Sequence, residues 1–279
     1  MLQVASETET AGDASGKKQT LRLGSTWPTL RLLAPPVIAL GALTVGWELW
    51  TQIADVPVYI LPGPLSVANR LSGDIGYFAG HGVVTLLRAL AGFALGLAIA
   101  LSSATLMAHS KFLERSLFPV AILVKVTPIV AVAPLFVIWF GFGSMPIVLI
   151  ATIITFFPVL VNAVTGFRSV NQGALNFFLS LDASKREIFF KLRVPSALPY
   201  LFAAFRIAIP LSVIGAVVGE FFSGGRGLGS VIFVAHHNLD MLTSFAAILV
   251  LASTGIGLTI LTSLVERRVL FWHESVMAS

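Results

Sequence analysis

The chain is 279 residues long, 56% hydrophobic and only 11% charged, with a mean hydropathy of +0.91. Water-soluble domains carry about 25% charged residues, so a soluble enzyme or a nucleic-acid binder is excluded despite a net charge of +5. Cysteine is absent, which removes disulfides, thiolate metal sites and cysteine nucleophiles together.

Residues 1–28 are polar, hold Glu7, Glu9 and Asp13, and lack the apolar run of a cleaved signal peptide. They read as a disordered cytoplasmic tail, with Lys17, Lys18 and Arg22 near the inner membrane surface. Residues 29–279 read as one all-α, polytopic membrane domain. Six apolar stretches, 32–53, 83–107, 117–140, 145–164, 197–222 and 242–265, are each long enough to cross a ~30 Å hydrocarbon core as a helix. A helix satisfies its own backbone there, where no water can. Trp47 and Trp50 fall at the outer end of the first span, as interfacial aromatics do.

In "ADVPVYILPGPLSVANRLSGDIGYFAGHG" the prolines and glycines break any long helix and leave room for a short surface helix at 65–71. "AHSKFLERS" is a short connection and "GFGSM" a tight outer turn. Pro119, Pro128 and Pro134 crowd the third span and Pro210 sits in the fifth. Each removes a backbone donor, so these helices are expected to bend, the third beside a path that opens and closes. The longest late outer loop is "SGGRGLGSVIFVAHHNLDM".

Charge gives the orientation. Lys17, Lys18, Arg22, Arg31, Lys111, Arg115, Arg168, Lys185, Arg186, Lys191, Arg193, Arg267 and Arg268 fall on one side of this layout, and only Arg70 and Arg226 on the other. That positive-inside bias places both termini in the cytoplasm.

Catalytic chemistry is missing. "GDASGKK" has the wrong spacing for a phosphate-binding loop, and "GGRGLGS" does not satisfy G-x-G-x-x-G. His236 and His237 beside Asp240 are explained by a polar outer loop, so no metal site is expected. No nucleophile, base and acid can be assembled, and any uphill transport must draw its energy elsewhere.

Ionisable residues within spans are costly unless paired or wetted. Lys125 and Arg206 lie roughly 13 Å from the inner helix ends, at 1.5 Å per residue. Arg88 and Glu220 lie near the outer ends. One reading is structural: cations on carbonyls freed by Pro210, Pro128 or Pro134, or a pair between Glu220 and an arginine. The other places Arg88, Lys125, Arg206 and Glu220, with the bend at Pro128, along a pathway that attracts an anionic or polar solute. No acid is expected at the depth of Lys125 or Arg206.

The most patterned loop spans about 166–196 and contains "FLSLDASKREIFFKLRV". "NQGALNFFLSL" and "SKREIFFKLRV" read as two short helices joined near Asp182 and Ala183, where aspartate tolerates positive φ. Phe177, Phe178 and Leu181 form one apolar edge that can enter a groove on a partner.

This loop resembles the signature loop of permease subunits of ATP-binding-cassette importers: E-A-A, three residues, G, nine residues, I-x-L-P. With the glycine set at Asp182, the E-A-A positions are Asn176, Phe177 and Phe178, and Leu192, Val194 and Pro195 meet the last elements. "TLLRALAGFALG", "KVTPIVAVAPLFVIWFGFG", "PSALPYLFAAFRIA", "GEFFSGGRGLGSVI" and "ERRVLFWH" follow the order and spacing of the nitrate/sulfonate/taurine branch of that family. The resemblance implies a MetI-like, type I importer fold of six spans in a bacterial inner membrane. It implies a second permease copy, a cytosolic ATPase dimer that binds ATP and Mg, an extracytoplasmic solute-binding protein, and no cofactor in this chain. It assigns ATPase coupling to Asn176, Phe177, Phe178, Leu181, Asp182, Ala183, Ser184, Lys185, Arg186 and Pro195. A solute such as nitrate, bicarbonate, a sulfonate, an aromatic carboxylate or a thiamine precursor fits the branch. A stand-alone secondary transporter is the alternative, and it wants coupling carboxylates at mid-membrane.

Overall fold

A computed structural model describes the backbone of residues 27–271, with side chains from residue 34 onward. The expected tail at 1–28 lies outside the described residues except for its last two, which already begin a helix. Contacts divide the chain into two units, one ending at Gly46 and one starting at Trp47. In the first, α1 (Trp27–Ile53) begins and carries Pro35 and Pro36. Its Val37, Ile38, Leu40 and Leu43 are exposed, as suits a helix in an apolar solvent.

In the second unit α1 ends, and Glu48 reaches across to the start of α2 (Pro64–Gly73). Its Oε2 accepts from the Leu65 N–H at 3.0 Å. Gly63, the residue before α2, has no side chain to cap the helix. Glu48 supplies that oxygen and places negative charge at a helix N-terminus. A Cβ on Gly63 would lie 2.8 Å from the same oxygen.

Three long helices form the core: α3 (Ile75–His109), α6 (Ser144–Arg168) and α9 (Val194–Ser223). In hydrocarbon they cannot be driven together by exclusion of water, so close backbone approach through small residues must do it. Gly92 and Gly96 of α3 face α6, where an added Cβ would stand 2.9 Å from the carbonyls of Val148 and Thr152. Gly215 and Gly219 of α9 face α6 from another side, 2.7 Å from Ala151 Cα and 2.8 Å from Ile147 Cα. Each pair is a G-x-x-x-G, and α6 is clasped between them. Thr152 Oγ1 donates to Gly92 O at 3.1 Å across the first contact.

The expected third span is broken. α4 (Lys111–Val126) and α5 (Ile129–Phe140) meet at 98° around Thr127 and Pro128. Pro128 has no N–H and excludes the helical region for the residue before it. Thr127 is accordingly extended, at φ −68° and ψ 123°. Its Oγ1 donates to Leu123 O at 2.8 Å and seals the end of α4. Pro119, Pro134 and Pro210 lie inside helices that continue past them.

Other boundaries moved for identifiable reasons. The connection "AHSKFLERS" shrinks to Ser110, whose Oγ caps α4 by accepting from Leu113 N at 3.3 Å. Helix α3 begins at Ile75 rather than near residue 83, running through Gly76, Gly80 and Gly82. The late outer loop contains α10 (Leu228–His237). Leu228, Val231 and Ala235 repeat at 0, 3 and 7 and are buried, a helical stripe hidden in a glycine-rich context. It packs on α3, α9 and α11 (Met241–Val269).

Among the described residues four helical runs are long and apolar enough to cross a membrane: Ile75–His109, Ser144–Arg168, Lys185–Ser223 and Met241–Val269. The bent pair α4 and α5 makes a fifth. The first of the six expected spans falls within α1, whose opening side chains lie outside the described residues.

Candidate functional site

The loop after α6 folds by its own capping chemistry. Asn171 Oδ1 accepts from Gly173 N at 2.7 Å and Ala174 N at 3.3 Å, starting α7 (Gln172–Ser180). The helix ends where Asp182 N donates to Leu179 O and Ala183 N to Phe178 O, both at 3.1 Å. Asp182 has φ +53°, the left-handed residue expected at this turn. Ser184 and Glu187 then form a capping box: Glu187 N donates to Ser184 Oγ at 3.2 Å, and Ser184 N to Glu187 Oε2 at 3.1 Å. That Ser-x-x-Glu was readable and missed.

The second loop helix is not separate, which corrects the expectation of two short helices. α8 (Lys185–Ile188) passes through a π-helical turn, Phe189–Arg193, directly into α9. Pro195 explains the wide turn, because it donates no N–H to the preceding ladder. The ladder steps instead from Val194 N to Phe189 O.

The apolar edge of α7 also differs in detail. Phe177 and Leu181, one turn apart, are 62% and 64% exposed and Phe178 is half-buried, while Leu179, 53% exposed, lies on another side of the helix and lines a cavity with Leu175. Asn176, Lys185 and Arg186 are exposed beside them, and the Arg186 guanidinium sits 5.9 Å from the Phe190 ring centroid. Two large apolar side chains one turn apart on a short, doubly capped helix are thus free to meet a partner.

Within the helical runs, the ionisable residues separate into paired and unpaired. Glu220 of α9 is fully buried. Its Oε1 accepts from Arg88 Nη1 at 3.0 Å, and its Oε2 from Thr85 Oγ1 and Gly229 N, both at 2.9 Å. Arg88 also donates to Ser144 Oγ at 3.1 Å and to the Arg226 carbonyl. Leu228 N donates to Thr85 Oγ1 at 2.8 Å, so the glycine turn after α9 folds back over the carboxylate. Gly227, at φ +134°, has no room for a Cβ beside Glu220. A buried ion pair is tolerable only when its remaining polar atoms are bonded, and here they are.

Arg206 is corrected. Its Nη2 lies 2.6 Å from Glu266 Oε2 and its Nε donates to that oxygen at 2.7 Å, so a carboxylate holds it, rather than carbonyls freed by proline. Glu266 was placed just beyond the sixth span. Helix α11 runs on to Val269 and brings it opposite Arg206.

Lys125 has no carboxylate partner among the described residues. Its ammonium lies 4.8 Å from the Phe157 ring centroid, a cation–π contact. It sits in the last turn of α4, where the helix dipole favours a cation. With Thr127, Ile154, Phe157, Pro158 and Leu211 it lines a cavity of about 220 Å³ at the Pro128 break. No group of three His, Cys, Asp or Glu that could hold a metal is present among the described residues. Asp240 caps α11 through Thr243 N at 3.0 Å.

A bundle of long apolar helices with one broken span, bonded charges at its depth and a capped helix projecting from it defines a membrane transport subunit. The chain belongs to the family of binding-protein-dependent transport system inner membrane components, whose model matches residues 92–271. It is 37% identical over 251 residues to the riboflavin transport system permease protein RibX of Chloroflexus aurantiacus, covering 89% of this chain and 92% of that protein. Over 222 residues it is 34% identical to the formylaminopyrimidine transport permease protein ThiX of Halalkalibacterium halodurans, covering 79% and 88%. The taurine transport system permease protein TauC of Escherichia coli is 29% identical over 272 residues, covering 93% and 97%. In fold, the chain matches one from the inward-facing MetNI methionine ABC transporter with a TM-score of 0.61. That match covers 69% of this chain and 96% of the other at 16% identity. The protein is a permease subunit of an ATP-binding-cassette importer with a MetI-like helical fold.

Proposed function

We propose that this permease works as a homodimer in a bacterial inner membrane, with both termini in the cytoplasm, and that α7 is the element its ATPase grips. The observation that carries this is the exposed pair Phe177 and Leu181, one helical turn apart on a capped helix followed by Lys185 and Arg186. Such an edge in water is unfavourable unless a partner groove covers it. ATP and Mg belong to that partner, which supplies the energy this chain lacks. The loop of about 166–196 carries the motion, with Asn176, Phe178, Asp182, Ala183, Ser184 and Pro195 shaping the helix ends around that pair.

A binding protein delivers the solute to the opposite face. Permeases named for riboflavin, formylaminopyrimidine, aliphatic sulfonates and taurine are all similar to this chain, which supports selection by the binding protein over selection by the permease. Within the pathway Lys125 is the contact proposed for a small anionic or polar solute. Arg88, Arg206 and Glu220 are held in ion pairs and shape the walls. The carboxylates of Glu220 and Glu266 are both engaged, so neither supports a stand-alone ion-coupled transporter.

The test is Phe177→Asp. A charge forced into an apolar groove costs several kcal/mol, so the variant should insert normally but fail to co-purify with the ATPase. Co-elution at wild-type stoichiometry would refute the docking assignment.

A further inference from the structure

At the end of the bundle that carries α7, a cavity of about 420 Å³ opens between the junction of α3 and α4 and the start of α7. Met107, Phe167, Val170 and Leu175 give it one apolar wall, while Lys111, Arg168 and Arg193 give it a cationic one. A second cavity of about 290 Å³ shares His109, Leu175 and Arg193 and adds Lys185.

The charge does not cancel. Glu114, the one acid in these walls, is taken by both terminal nitrogens of Arg168. Arg193 spends one N–H on the Ala108 carbonyl at 3.2 Å. Lys111 and Lys185 make no ion pair among the described residues. Lys111 also begins α4 and Gln172 begins α7, and both line the larger cavity with helix N-termini whose partial charge is positive.

We propose that this cavity holds the headgroup phosphate of an anionic phospholipid, with Lys111 and Arg193 on the phosphate and the apolar wall on the start of an acyl chain. A free phosphate would satisfy the cations and leave the half-buried Val170 and Leu175 uncovered. An amphiphile satisfies both walls. The bound lipid would join α7 to the α3 and α4 junction, so the leaflet's composition would set how firmly the loop is tied to the bundle. This last consequence rests on the coupling role proposed for α7; the binding itself does not.

The experiment is native mass spectrometry of the purified full chain, delipidated and returned to mixed phosphatidylglycerol and phosphatidylcholine. Phosphatidylglycerol should be retained preferentially. Lys111→Gln should weaken that retention roughly fivefold, the worth of one cation near an anionic surface, and Lys111→Glu should weaken it further. Arg115→Gln, on the same helix but outside the cavity, should leave it unchanged. Equal losses in Lys111→Gln and Arg115→Gln would reduce the effect to general surface charge and overturn the site. Displacement of the lipid by millimolar inorganic phosphate would assign the cavity to a free anion and overturn the lipid. Because no ATPase is present, a failure of α7 docking cannot produce either result.

Discussion

Glu220 shows how strongly one side chain can organise its surroundings. Its carboxylate accepts from Thr85 and Arg88 of α3 and from Gly229 at the start of α10. Breaking a buried pair from one side costs about 3–5 kcal/mol, because the remaining charge stays buried. Glu220→Ala should therefore lower thermal stability in detergent sharply, read by tryptophan fluorescence. Lys191→Ala, which removes only an exposed i,i+4 pair with Glu187, should leave that stability nearly unchanged. Comparable losses would mean that the buried network is not what holds the turn. Lys125 is the opposite case, a cation that meets an aromatic face and a helix C-terminus but no carboxylate among the described residues. Lys125→Met keeps length and apolar bulk, so folding should survive while uptake in ATPase-containing vesicles with saturating binding protein slows severalfold. Unchanged uptake would return Lys125 to a structural role.

Among the elements, the capped loop is the most testable. A non-glycine residue in the left-handed region costs about 1–2 kcal/mol, so Asp182→Gly should be tolerated and Asp182→Val should impair coupling of ATP hydrolysis to uptake. If both variants couple equally, the turn does not transmit motion. The bidentate pair of Arg168 and Glu114 ties the end of α6, just before the loop, to the first turn of the broken span. Glu114→Arg should uncouple hydrolysis from uptake, and adding Arg168→Glu should restore much of the loss; absence of rescue would remove the pair from the transmission path. Element boundaries were only partly legible in the sequence. Runs of apolar residues announced the spans, since length and hydropathy are all that lipid demands. A bend was expected at Pro128, but a full break there was not legible, because a proline bends a helix without ending it where neighbours satisfy the freed carbonyls. α10 was hidden because glycines advertise a loop while Leu228, Val231 and Ala235 carry a helical stripe too short to stand out. Glu266 was missed as the partner of Arg206 because the apolar stretch ended one residue before it, while α11 runs on to Val269. The positive φ at Asp182 was readable because the family resemblance sets a glycine there and aspartate is among the few residues that tolerate that region.

For the whole molecule, the packing of α3, α6 and α9 depends on the absence of atoms. Gly219→Leu would drive a side chain into Ile147 and Gly215→Val into Ala151, separating α9 from α6. Overpacking of this kind typically costs 1–3 kcal/mol or more, so both variants should give poor yields of monodisperse protein. Gly257, with nothing within 4 Å of where a Cβ would stand, is the control. Gly257→Ala should purify as wild type and gain up to about 1 kcal/mol from helix propensity. A similar loss at all three positions would show that the glycines serve flexibility rather than close approach.

The bond between Arg88 and Glu220 also imposes an order in time. The two are separated by 132 residues of chain. At about 5–20 residues per second of synthesis, Arg88 waits on the order of ten seconds between its own emergence and that of its counter-charge. During that interval α3 carries an uncompensated guanidinium into the bilayer or lingers beside the insertion machinery. Nascent chains stalled before Glu220 should therefore hold α3 loosely and extract with alkaline carbonate, and Arg88→Leu should make the same stalled chains resist extraction. The finished protein hides this delay, since by then the glycine turn has closed over the pair.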